Sequence, residues 1–175
     1  YIPRIVKAAK LGDAAVLKAL IKILSENNIK VIRLNTFNPE LTLKKGVYTK
    51  IKPNLLEKEY ISKGIRTLKK INSYNHTQAV IIRNNKVISR ESRKGTKEMI
   101  KSVPKSKIKK GILIKMPKAK QDLRVDLPTI GIDTFKDCNK VGIKGIVVKS
   151  NQNIILNKEV CIKYANQNKL FLISI

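Results

Sequence analysis

The sequence predicts an α/β protein, a mixed sheet flanked by helices, on three observations. Short apolar runs such as AVIIR, GILIK and LFLISI alternate with segments whose apolar residues recur at helical spacing. AVIIR and KVISR are separated only by Asn84 and Asn85, residues that tolerate positive φ, so a two-residue hairpin interrupts the alternation. Hydrophobic residues make up 42% of the 175 and charged residues 29%, enough apolar surface to fold around a core. Strands alternating with helices, broken by a hairpin, give a sheet of mixed direction.

The clearest helix spans residues 12–27, where Asp13 can cap the first turn and Leu17, Leu20, Ile21 and Leu24 form one stripe. Ile29 to Leu34 reads as a short strand. The loop-rich stretch TFNPELTLKKGVYTKIKPN follows, and a domain boundary is expected near residue 38, dividing the chain into 1–37 and 38–175. A second helix is expected over Leu56 to Ile71, with Ile61, Ile65 and Leu68 inward, although Gly64 lowers its helical tendency. After the hairpin come a short helix from Gly95 to Val103, ended before Pro104, and the strand GILIKM. Asp133 is expected to cap a helix through Lys140. GIVVK and NIILN then read as strands around a turn at Ser150 to Gln152, followed by a helix capped by Asn157 and a last strand.

A net charge of +26 brings nucleic acid to mind, because phosphate contacts supply much of that affinity. The pattern argues against it: only seven of the 38 basic residues are arginine, they are scattered over every element, and aromatic residues amount to 5% with no tryptophan. The same charge favours an anionic membrane surface. Cys138 and Cys161 lack any CxxC spacing and read as buried thiols, and the single histidine, His76, excludes a histidine triad or a two-histidine metal site within this chain. The opening IPRIV is too short for a signal peptide or a membrane span, and a chain starting on Tyr1 is expected to be part of a longer protein.

Four of the five aspartates fall between residues 122 and 137, interleaved with lysine, arginine and threonine, directly after the strand GILIKM. Carboxyl ends of strands are where open α/β sheets bind ligands. Hydrolysis of a phosphoanhydride at neutral pH requires charge neutralisation and an activated water, both supplied by a hard cation on one or two carboxylates. Asp126 is the first choice for metal ligand or water activator, with Asp122 beside it. Lys115, Lys118 and Arg124 suit phosphate oxygens, the Thr129 hydroxyl and Gly131 amide suit neutral donation, and Glu91 is a further candidate acid. Asp133 and Asp137 are explained equally well by a helix start.

The strings GILIKMPKAKQDLRVDLPTIGIDT, QAVIIRNNKVISRESRKGTKEMI and VGIKGIVVKSNQNIILNKEV together resemble the LpxI-type UDP-2,3-diacylglucosamine pyrophosphatases of lipid A biosynthesis, over about residues 11–175. The resemblance implies hydrolysis of UDP-2,3-diacylglucosamine to lipid X and UMP with a divalent cation, magnesium being expected, at the cytoplasmic side of the inner membrane. It also implies that residues 1–37 correspond to the tail of a Rossmann-like domain and 38–175 to a C-terminal α/β domain. Asp126 matches the aspartate held essential, with Asp122, Arg124, Pro128, Thr129 and Gly131 around it, and Lys115, Pro117, Lys118 and Gln121 at the start of the loop. Glu91, Gly95 and Thr96 match a shorter upstream motif. Asp126, Asp122 and Glu91 are thereby expected at the metal; Lys115, Lys118, Gln121, Arg124, Thr129, Gly131 and Thr96 are expected at the substrate. Lys94 and Lys97 stand where the resemblance expects acids. Two alternatives stay open, a relative that folds or binds lipid without turnover and a basic nucleic-acid module, as does a homodimer.

Overall fold

The computed structural model describes residues 1–72, 77–119 and 121–175. His76 and the side chain of Asp13, both singled out from the sequence, lie outside the described residues.

The chain opens with helices α1 (Ile2–Ala9) and α2 (Asp13–Glu26), joined across their outer ends by Arg4 to Glu26 at 2.6 Å. The strand expected over Ile29–Leu34 does not form: the segment is irregular and runs into a one-turn helix α3 (Leu34–Phe37). A strand needs a neighbour to take its N–H and C=O groups. Among the described residues none lies alongside, and Ile29 and Ile32 stay 53% and 37% exposed. β-branched composition alone did not decide the conformation. A 3-10 turn (Pro39–Leu41) leads to β1 (Gly46–Val47), a two-residue edge strand inside the stretch read as loop.

Helix α4 (Leu55–Asn72) starts on a reciprocal cap, the Asn54 side chain accepting from Glu57 N and the Glu57 carboxylate accepting from Asn54 N, each at 2.8 Å. Gly64 is required rather than merely tolerated, since a Cβ there would lie 2.0 Å from Ile114 Cδ1 and 3.1 Å from Ile82 Cγ1. The hairpin β2 (Ala79–Arg83) and β3 (Lys86–Arg90) turns on Asn84 and Asn85 at φ 49° and 55°, as the sequence predicts. Then come α5 (Gly95–Lys101), β4 (Gly111–Lys115), β5 (Thr129–Ile130), α6 (Ile132–Lys140), β6 (Ile143–Val148), β7 (Ile154–Ile155), α7 (Lys158–Gln167) and β8 (Phe171–Ser174).

Six strands form one mixed sheet in the order β1-β8-β6-β4-β2-β3. The central β8, β6 and β4 run parallel, and β1, β2 and β3 add antiparallel pairings at the two sides. The edge strand β1 is held to β8 through Gly46 opposite Ser174, and the Ser174 hydroxyl also donates to Leu43 O at 3.2 Å. Side chains alternate across the sheet. Ala79, Ile81, Leu113, Ile146, Val148 and Leu172 pack against α5, α6 and α7, whereas Val80, Ile82, Ile112, Ile114, Val147 and Phe171 pack against α4. The result is three layers around two apolar seams. Cys138 and Cys161 are buried free thiols on α6 and α7, as expected, and burial pushes both thiol pKa values up.

Two further expectations are corrected. NIILN was expected as a strand after the turn at Ser150 to Gln152; only Ile154–Ile155 is extended, and it pairs parallel with β5 in a separate two-stranded sheet, because Ile154 N donates to Pro128 O and Leu156 N to Ile130 O. The flank of β6 is already taken by β4 and β8. The cap of α6 is Gly131, not Asp133, which sits within the first turn where its charge complements the helix dipole. Asn157 does occupy the cap position of α7, but in the left-handed conformation and without a side-chain cap bond.

Candidate functional site

Because β4 and β6 are parallel, Lys115 and Val148 end side by side, and the antiparallel β2 begins there with Ala79 opposite Lys115. Glu91 follows β3 at the same end, and Thr96 lies in the first turn of α5. Lys115 is only 7% exposed, and its ammonium donates to Thr96 Oγ1 at 2.9 Å and to Thr129 O at 3.1 Å. Thr96 Oγ1 donates in turn to Glu91 Oε1, while Glu91 Oε2 accepts from Gln78 N at 3.0 Å. Glu91, Thr96, Lys115 and Thr129, dispersed in sequence, therefore form one connected chain. Burial holds the Lys115 ammonium below the ordinary lysine range, opposed by the Glu91 charge and reinforced by Lys118.

The aspartate loop leaves this end of β4. Lys118 and Gln121 exchange bonds, Lys118 N to Gln121 Oε1 at 2.8 Å and Gln121 N to Lys118 O at 3.1 Å. A turn follows in which Asp126 N donates to Asp122 O at 2.9 Å. The Asp122 carboxylate is committed to Arg124, which donates from its backbone N at 3.1 Å, from Nε at 3.0 Å and from Nη2 at 2.7 Å. Asp126 is different. Its carboxylate is half-buried and has no hydrogen-bond or ion-pair partner among the described residues. The loop ends at Pro128, tied to Ile154, and at Thr129, whose hydroxyl donates to Leu127 O at 3.1 Å, before Gly131 opens α6.

The structure thus brings Glu91, Thr96, Lys115 and Thr129 together and sets Lys118, Gln121, Asp122, Arg124 and Asp126 along the adjoining loop. Among the described residues no three His, Cys, Asp or Glu side chains gather into a metal-binding group. Sequence reasoning missed two members of the site. Asn153 is 1% exposed and bridges the strand ends, donating to Lys115 O at 3.3 Å and accepting from Lys149 N at 2.9 Å. Gln78 holds the Glu91 carboxylate with its backbone while its buried side-chain Oε1 has no donor among the described residues. Neither carries a sequence signal, since both act through strand adjacency. A groove of about 960 Å³ lies elsewhere, along the outer face of α4 from Leu55 to Lys70, and contains none of these residues.

The Arg124 hydrogen bonds depress the Asp122 pKa from its ordinary 3.8 to about 2. A folded pKa below the unfolded one means the ion pair contributes fully above the unfolded value and is lost as the pH falls through about 2. We expect the Asp122 carboxyl carbon to titrate near pH 2 by NMR and to return to about 4 in Arg124→Ala. A midpoint near 4 in the unmodified chain would contradict the pairing. The pair is partly solvated, so global stability changes little with it.

Fold and site together define a three-layer α/β protein whose polar cluster sits at the carboxyl ends of the parallel strands, where α/β proteins bind phosphate-bearing ligands. Residues 44–173 match the LpxI C-terminal domain, and the chain belongs to the LpxI family. Among its relatives is the UDP-2,3-diacylglucosamine pyrophosphatase LpxI of Caulobacter vibrioides, 26% identical over 182 residues that cover 99% of this chain. The chain spans 65% of that relative's length.

Proposed function

We propose that the chain is a hydrolase acting on the phosphoanhydride of UDP-2,3-diacylglucosamine, releasing UMP and 2,3-diacylglucosamine 1-phosphate (lipid X). Family membership and the name of the Caulobacter relative support the substrate class. The observation that carries the reading is the Asp126 carboxylate, without a partner among the described residues in a loop where the neighbouring acid is already neutralised by arginine. A half-buried carboxylate left open at the mouth of a basic site is suited to a ligand rather than to stability.

Water adds to one phosphorus, the bridging P–O bond breaks, and the departing phosphate carries the electron pair. Lys118 and Arg124 hold phosphate oxygens, and the Gly131 amide at the start of α6 adds a neutral donor. The donor set suits magnesium, which is commonly held by one or two carboxylates with substrate phosphates completing its shell. Asp126 would be its principal protein ligand, Asp122 joining only by releasing Arg124. A cation bound there supplies charge neutralisation and a more acidic water. Residence at the cytoplasmic membrane face belongs to the same proposal, and no helix among the described residues is long and apolar enough to cross a membrane.

A relative that binds the acylated sugar phosphate without turnover is the second reading. It is favoured by the engagement of both Glu91 oxygens with protein donors, which leaves fewer acids for a cation. Incubating the chain with the detergent-dispersed nucleotide lipid separates the two. We expect UMP release that needs magnesium and stops with EDTA; saturable lipid binding with no UMP under either condition would select the second reading.

A further inference from the structure

We propose that Lys115 is a positioning residue that clips shut the base of the aspartate loop, and that Glu91 and Thr96 act to hold it in place. Lys115 is the last residue of β4, so its backbone begins the loop, and its ammonium binds Thr129 O, where the loop ends. One side chain therefore closes the base of a loop that contains Lys118, Gln121, Asp122, Arg124 and Asp126. Thr129 is fixed on its other sides as well, its hydroxyl on Leu127 O and its neighbour Pro128 on Ile154 N. The start of the loop is fixed too, with Asn153 donating to Lys115 O and Met116 N donating to Gln78 O at 2.8 Å.

The clip is strongest as a charged group. A neutral amine in a site this buried would keep the bond to Thr129 O but not the attraction to Glu91, which reaches it through the Thr96 hydroxyl. Two of the three ammonium hydrogens are spent on protein oxygens, so the group is poorly placed to serve mainly as a phosphate ligand. Closing a loop at its base lowers the number of conformations its tip can visit, and the geometry of Asp126 is what the proposed reaction depends on.

This inference rests on the proposed hydrolysis for its kinetic readout, but hydrogen exchange tests it independently. In Lys115→Met we expect the amides of Asp126 and Ile154 to exchange at least about tenfold faster while those of Leu113 and Val147 in the sheet are unchanged. UMP release should fall about a hundredfold, chiefly in kcat, with Lys115→Arg recovering part of it. Thr96→Val, which keeps the side-chain shape, should shift both readouts the same way by less, and it serves where Lys115→Met does not fold. Unchanged loop exchange in these variants overturns the clip, as does a rise in KM at constant kcat, which would make Lys115 a phosphate ligand. If the unmodified chain releases no UMP while loop exchange responds as expected, the hydrolysis reading fails and the clip stands.

Discussion

Replacing Asp126 with asparagine should lower magnesium-dependent UMP release at least about a thousandfold, about 4 kcal/mol of transition-state stabilisation, while leaving the fold intact. The two effects separate because the Asp126 carboxylate has no bond among the described residues for the substitution to break, so stability should move by less than about 0.5 kcal/mol. Asp122→Asn is the informative comparison. It removes the charge and one of the two oxygens on which Arg124 makes three side-chain hydrogen bonds, and should cost less activity than the Asp126 change. Steady-state kinetics on both variants, beside thermal melts, decide the matter. Retention of activity within tenfold in Asp126→Asn would remove this residue from the chemistry.

Gly145→Ala should be strongly destabilising although it adds a single methyl group. Gly145 lies in the middle of β6 opposite Phe171, and a Cβ there would stand 1.9 to 2.4 Å from three atoms of the Phe171 ring. That ring is fully buried in the seam under α4, with Val147 and Ile173 around it, so it has no open direction in which to move. Overpacking of this kind typically costs 1–3 kcal/mol, and a ring struck on three atoms belongs at the upper end, about 3 kcal/mol, or a Tm lower by roughly 6–12 °C. Shrinking the ring should relieve the clash. Phe171→Leu with Gly145→Ala should therefore be less destabilised than the two separate changes added together, and urea titrations across the cycle measure that coupling. Strict additivity would place the cause elsewhere.

The periodic signals in the sequence were the ones tertiary structure had no reason to override. Asn84 and Asn85 name their own turn, and the stripes of α2 and α4 and the run GILIK need only local chemistry to be recognised. Failures came where a neighbour decides. Ile29–Leu34 has strand composition but no strand beside it, whereas Gly46–Val47 looks like loop and becomes a strand because β8 offers an edge. Gly64 counted against a helix on propensity, yet the approach of α4 to Ile114 admits nothing larger. In the site, the individual residues were visible as chemistry-bearing types, and QDLRVDLPTIG marked the loop. Their connection was not visible, since the link from Glu91 through Thr96 to Lys115 and Thr129 exists only once α5, β4 and β5 meet. Asn153 and Gln78 were invisible for the same reason.

The pairing of β1 with β8 governs how the domain can be made. Strand β8 sits between β1 and β6, and every other strand of the sheet precedes it in the chain. Until Phe171–Ser174 leave the ribosome, Gly46 and Val47 have no ladder partner and one flank of β6, apolar but for Lys144, is an open edge. Such pairings between distant parts of a chain are slow to close, and open edges invite association with other chains meanwhile. The nascent polypeptide must therefore carry an incomplete sheet until β8 emerges, and its vulnerability to aggregation is concentrated in that interval.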